Sequence, residues 1–215
     1  MAVLGYLEKL IMRKVIYFKD DYLFVKDRKF MLVSASSLSK QYLESYKAVG
    51  IRFWTILYYA GKEASKEYAI EVSQLAVGNL INLLEFSCNS LNAFGEGNFR
   101  VQKYDEKKPL MVINADKSTL AEESKKANGP LDAPIDYFLL GVFVGSMEYK
   151  LKKEFFGYEI NCKAERDVNS CTFITGDEAP LLEYVRQFAP KKEKAFQDFL
   201  KDIKAYKVQN NVSGN

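Results

Sequence analysis

The sequence has 215 residues, a net charge of +3 and no histidine. That length suits one domain, with or without extensions, and at 48% hydrophobic residues it can bury a sizeable core. The missing histidine excludes a Ser-His-Asp triad, a Cys-His pair, His-ligated haem and any Cys2His2 zinc site, while lysines and arginines interspersed with acids give no charge argument for nucleic acid.

The start, MAVLGYLEKLIMRK, places Val3, Leu4, Leu7, Leu10 and Ile11 on one helical face. It lacks the basic-then-apolar order of a signal peptide, and no apolar run reaches the ~18–20 residues of a membrane span. A packing helix and a cytoplasmic location are expected. Residues 15–18, 22–25 and 29–34 read as short antiparallel strands separated by charged turns. Ser36 or Ser37 can cap a helix that ends near Gly50. A longer helix is expected over 52–72, with Trp54, Leu57, Gly61, Ala64 and Tyr68 along one stripe, and another over 74–91 carrying Cys88 as a core residue.

Strands follow at 97–104 and 109–114, then a polar, lysine-rich stretch at 116–129 suited to a loop or short exposed helix. Pro134 opens a helix over 135–153, in which Gly141 and Gly145 form a face for close packing. The small faces Gly61/Ala64 and Gly141/Gly145 can serve helices within the chain or a homodimer. Strands near 155–163 and 170–175 make a hairpin, and 185–188 and a last helix over 191–206 close the domain, with Phe196, Phe199, Leu200 and Ile203 facing inward. The tail VQNNVSGN is expected to fray. Together these elements give one α+β domain, an antiparallel sheet packed with helices.

The hairpin, FGYEINCKAERDVNSCTF, carries the chemistry. Glu159 precedes Cys162 by three residues, and eight residues separate Cys162 from Cys171. That spacing can hold a metal, close a disulfide, or do neither.

The glycine-bearing helix ILYYAGKEASKEYA and the later order of glycine helix, strand, E-x-x-C, turn and C-x-F resemble the 4-vinyl reductase-type domain, in its stand-alone archaeal form. The resemblance covers residues 51–174, and its specific part is Glu159, Cys162 and Cys171. It implies the fold shared with transport protein particle subunits and with the sensor domains of phenol-responsive regulators. Residues 51–176 would then be the domain proper, 1–50 an N-terminal extension, and 177–215 a C-terminal helical segment and tail. In the phenol sensors the motif binds zinc with a further cysteine at the start of the preceding helix. The matching position here is Asp136, and aspartate can ligate zinc.

Asp136, Glu159, Cys162 and Cys171 are thus candidates for a structural zinc site. A Cys162–Cys171 disulfide is the second reading. Free thiols, with Asp136 as an acid at a helix N-terminus, are the third. The resemblance also implies an apolar pocket, for which Trp54, Tyr58, Phe99, Phe138 and Tyr158 are the aromatic wall candidates; otherwise they are core. The phenol-binding histidine of the sensors has no counterpart. The function expected is a small-molecule-binding, sensor-like domain for an apolar or aromatic ligand. It is expected to be homodimeric, without enzymatic activity, and to pass any signal to a separate protein partner. The alternatives are an interaction or scaffolding subunit like the transport-particle proteins, and an accessory protein or enzyme of tetrapyrrole metabolism.

Overall fold

The computed structural model describes residues 16–19, 22–25, 28–30, 33–72 and 80–211. The helix expected at the N-terminus, the first residues of the one expected from 74, and the end of the tail lie outside them. Strands β1 (Ile16–Lys19), β2 (Tyr22–Val25) and β3 (Arg28–Phe30) form a small antiparallel sheet in chain order. Helix α1 (Ala35–Val49) starts two or three residues earlier than expected. Ser34 is the cap, its Oγ accepting the Ser37 N–H at 3.2 Å, and Gly50, at φ 68°, ends the helix.

The main body comprises α2 (Ile51–Val72), α3 (Leu80–Ala93), β4 (Gly97–Asp105), β5 (Leu110–Ser118), α4 (Thr119–Asn128) and α5 (Tyr137–Leu151). It continues with β6 (Phe156–Asn161), β7 (Cys171–Gly176), α6 (Glu178–Phe188), a 3-10 turn at Pro190–Lys192, and α7 (Glu193–Asn211). Two segments differ from expectation. The polar stretch at 116–129 is the end of β5 followed by α4, and α4 is not simply exposed. Its Leu120, Ala121 and Ser124 are buried, and Ser124 Oγ meets Ser39 Oγ of α1 at 2.7 Å. A narrow buried stripe of small residues was hidden by the lysines around it. Residues 185–188 prove to be the last turn of α6, whose Pro180 sits in the first turn, where no intrahelical N–H bond is lost.

The four-stranded sheet is antiparallel throughout, in the order β4-β5-β7-β6. Helix α5 is apolar nearly all round, with Leu139, Leu140, Phe143, Val144 and Met147 buried, because it lies between the sheet and α2. The approach of α2 to α5 depends on glycine. A Cβ on Gly61 would lie 2.1 Å from Phe138 O, and one on Gly141 would lie 2.1 Å from Tyr58 O. Gly61, Gly141 and Gly145, considered for a homodimer, therefore pack inside one chain, whereas Ala64 is exposed. Phe196, Phe199, Leu200 and Ile203 of α7 are buried, as their spacing predicted. Among the described residues, no helix is long and apolar enough to cross a membrane.

Candidate metal centre

Two strands, the turn between them and the start of a helix deliver Asp136, Glu159, Cys162 and Cys171 to one point. Asp136 precedes the first turn of α5, Glu159 lies on β6, Cys162 follows β6, and Cys171 opens β7. One donor atom from each falls within 4.8 Å of the other three, and all four residues are buried. The local geometry of β6 makes this possible. Residues three apart in a regular strand point to opposite faces, so Glu159 and Cys162 should diverge. However, Glu159 pairs with Phe173 and Asn161 with Thr172, so two steps on β6 match one on β7. This bulge, one extra residue in the strand, turns the chain so that both side chains reach the same side.

Each carboxylate has one oxygen engaged and one unpartnered. Ser118 Oγ donates to Asp136 Oδ2 at 2.6 Å, and the Asp136 N–H donates to Glu159 Oε2 at 3.2 Å. Asp136 Oδ1 and Glu159 Oε1 are buried without a hydrogen-bond partner. A buried polar atom left in that state costs about 1–3 kcal/mol, more if charged. The cysteines are free thiols, and the Lys163 N–H points at Cys171 Sγ from 3.2 Å, a contact that favours a thiolate. The turn after Cys162 is clamped by Glu165. Its Oε2 accepts the Cys162 N–H, its own N–H returns to Cys162 O at 2.9 Å, and Lys192 holds its carboxylate. Asp136 is the N-cap residue of α5, yet its side chain makes no capping bond. The carboxylate is turned toward the hairpin.

The electrostatics are those of crowded acids that no lysine or arginine pairs with among the described residues. Burial, reinforced by nearby Glu96, raises Asp136 from the usual carboxylate range to about 6, despite the Ser118 hydrogen bond. Burial and the neighbouring acids push Glu159 and Cys162 well above their ordinary values. At Cys171 a hydrogen bond with Cys162 pulls downward, but burial and the charges of Glu159 and Asp136 still raise it to about 12. A divalent cation reverses this balance, since it favours the deprotonated form of every member. Two thiolates and two carboxylate oxygens suit a borderline transition ion, and two unpartnered oxygens await one. The group can hold a metal.

The aromatic pocket candidates do not surround one cavity. Tyr58, Phe99 and Tyr158 are core residues: Tyr58 packs on Phe199, Phe99 on Phe143 and Phe173, and Tyr158 on Phe196. Trp54, stacked between Tyr46 and Tyr137, borders a cavity of about 300 Å³ with Leu43 and Pro134. Phe138 borders a different cleft, of about 190 Å³, with Ala64, Leu91, Phe94 and Val142. Sequence reading overlooked Ser118 and Glu165. The pair Ser118-Thr119 ahead of Leu120 was a legible helix start, but nothing local tied it to Asp136.

At the sequence level, no family model matches the chain and no curated protein is significantly similar. The fold is more informative. The structure matches the phenol-responsive sensory domain of the transcription activator PoxR, determined with phenol, at a TM-score of 0.70. It has the fold of a phenol sensor. The match covers 90% of this chain and 94% of the other at 15% identity, so the likeness is one of fold alone. Two further structures align less closely. A trafficking protein particle complex subunit 3 from Naegleria fowleri, covalently bound to palmitic acid, gives a TM-score of 0.45 at 14% identity, over 66% of this chain and 93% of that one. A vinyl-4-reductase family protein from Methanocaldococcus jannaschii gives 0.44 at 18% identity, over 81% and 94%.

Proposed function

We propose that this chain is a small-molecule-binding, sensor-like domain whose β6–β7 hairpin is fastened to α5 by a structural zinc ion. The observation that carries the metal half is the convergence of four buried donor groups with one unpartnered oxygen on each carboxylate. When bound, zinc supplies charge neutralisation and a four-way crosslink. The residues do the rest. Asp136 brings the start of α5, Glu159 and Cys162 bring the bulged strand, and Cys171 brings the head of β7. Four protein donors leave no open position for a reacting water, so the reading includes no enzymatic activity.

Support for the ligand half comes from the likeness to a phenol-binding sensory domain across nearly the whole chain. The cleft beside Phe138 is the site we assign to an apolar ligand. The serines bordering it turn their hydroxyls to protein partners: Ser87 donates to Leu83 O, Ser90 to Phe86 O, and Ser65 meets Ser146. Its wall is therefore apolar. Native mass spectrometry of untreated protein tests both halves together. The expected result is one zinc per chain, with both thiols carrying no disulfide mass. A small apolar adduct, or a saturable mass shift on adding phenol or another single-ring compound, is also expected. Protein that takes up no metal at neutral pH overturns the metal half, and protein that binds no compound of an aromatic panel overturns the ligand half.

A further inference from the structure

The two carboxylates of the centre are restrained by different means, and only one restraint can be removed by substitution. Glu159 Oε2 is held by the main-chain N–H of Asp136, which every residue but proline would supply. Asp136 Oδ2 is held by two side chains, the hydroxyl of Ser118 at 2.6 Å and, at 3.7 Å, the Cys171 thiol, which stops donating once it ionises to bind a metal and leaves Ser118 as the restraint that persists. We propose that Ser118 is a positioning residue that limits Asp136 to one metal-binding oxygen and thereby sets which metals the centre accepts. This rests on the reading of Asp136, Glu159, Cys162 and Cys171 as a metal centre.

Ser118 is well placed for the task. It is wholly buried, so water does not compete for its proton. It ends β5, pairing with Gly97, three residues beyond the Ala115–Cys171 pair of β5 and β7. The sheet register thus carries Ser118 and Cys171 toward the same end of the sheet, where α5 begins. Its oxygen also accepts the Ala121 N–H at 3.3 Å and so caps α4. That bond occupies a lone pair and leaves the hydroxyl proton directed at Asp136.

The consequence concerns donor count. With one oxygen of Asp136 on Ser118 and one of Glu159 on an amide, the unpartnered Oδ1 and Oε1 remain. Together with two thiolates these are four single donors, the set preferred by Zn²⁺ or Co²⁺ in tetrahedral sites. Mg²⁺ and Mn²⁺ favour six oxygens, and Ca²⁺ six to eight, often from bidentate carboxylates. Releasing Oδ2 gives the centre a fifth donor and weakens discrimination against the harder ions.

Ser118→Gly is the decisive variant, because glycine at a helix N-cap costs only a few tenths of a kcal/mol against serine. Ser118→Ala is measured beside it, and Ser118→Thr keeps the hydroxyl. Metal-free protein is titrated with Zn²⁺, Co²⁺ and Mn²⁺, and the visible spectrum of the Co²⁺ form is recorded. Wild type and Ser118→Thr are expected to give the intense bands of a tetrahedral thiolate-ligated Co²⁺ site. Ser118→Gly and Ser118→Ala are expected to lose band intensity, as coordination rises to five, and to narrow the Zn²⁺:Mn²⁺ affinity ratio about tenfold, the scale of outer-shell effects. A role in helix capping alone would lower melting temperature while leaving the ratio and the spectrum unchanged, and that result overturns the proposal. If wild-type protein binds Zn²⁺ and the glycine variant matches it in both readouts, Ser118 has no such role and the metal centre stands. If wild-type protein binds none of the three ions, the metal reading fails as well.

Discussion

The Asp136 N–H donates to Glu159 Oε2 at 3.2 Å, joining the entrance of α5 to the bulged strand β6 across a wholly buried space. This bond brings two acidic side chains together where, among the described residues, no lysine or arginine pairs with them. The centre is therefore stable only if its protons stay on or a metal replaces them.

Replacement of one sulfur should separate the metal from the fold. Cys162→Ser removes a thiolate while retaining size, and zinc content should fall from about one per chain to near zero. At free metal 1,000 times Kd, binding contributes about 4 kcal/mol to wild-type stability, and the variant should lose that increment. Amides of β6 and β7 should gain exchange rate before those of α7. Equal loosening throughout would show that the centre does not fasten the hairpin in particular. Inductively coupled plasma mass spectrometry and hydrogen exchange provide the two readouts.

Metal-free protein should have an inverted acid response. Burial raises Asp136 from 3.8 in the unfolded chain to about 6 in the fold. Between those values the folded state holds a proton that the unfolded chain has lost, so stability falls as pH rises through the window. The loss is complete above about 6 and amounts to roughly 3 kcal/mol at 1.36 kcal/mol per pKa unit. Denaturant midpoints of chelated protein at pH 4.5 and 7.5 test this. A midpoint that rises over that range contradicts the placement of Asp136. Zinc affinity should move the opposite way, strengthening as pH rises, because its ligands must be deprotonated.

Gly141→Ala should be among the most damaging small substitutions. The new methyl would sit 2.1 Å from the carbonyl oxygen of Tyr58, a backbone atom that cannot turn aside. Overpacking of this kind costs about 1–3 kcal/mol, and a backbone clash belongs at the upper end. For a chain of this length that lowers Tm by roughly 6–12 °C. Because the face is used within the chain, the mass in solution should not change. A variant that altered the oligomeric state without losing stability would return the glycine face to an intermolecular role.

Lys62 and Glu148 form an ion pair at 2.8 Å with side chains only 5% and 9% exposed, between α2 and α5. Glu148 also accepts the Phe155 N–H and pairs with the more exposed Lys66. Lys62→Met leaves a buried carboxylate with less compensation and should cost about 3 kcal/mol, the lower end for a broken buried pair. Adding Glu148→Gln should recover part of it, since the amide oxygen still accepts from Phe155. Strict additivity in that double-mutant cycle would show that the pair does not couple.

Periodicity alone determined much of this protein. The helices over α2, α5 and α7, the strands of the main sheet and the inward face of Phe196, Phe199, Leu200 and Ile203 follow from spacings of three to four and of two. The absent histidine restricted the chemistry before any fold was known. Glu159, Cys162 and Cys171 could be singled out because they lie within thirteen residues of one another, and Asp136 only through a family likeness. Tertiary structure decided the rest. In sequence, Glu159 and Cys162 belong to opposite faces of a strand, and only the bulge paired against Phe173 and Thr172 unites them. Ser118 reaches Asp136 because β5 lies beside β7, a strand order that periodicity does not encode. The aromatic residues that looked like one pocket were divided between core and two separate clefts, since an apolar side chain reads the same whether it fills a space or borders one. The glycines needed a partner surface, and the fold supplied it from within, where backbone-to-backbone contact between α2 and α5 leaves no room for a methyl group.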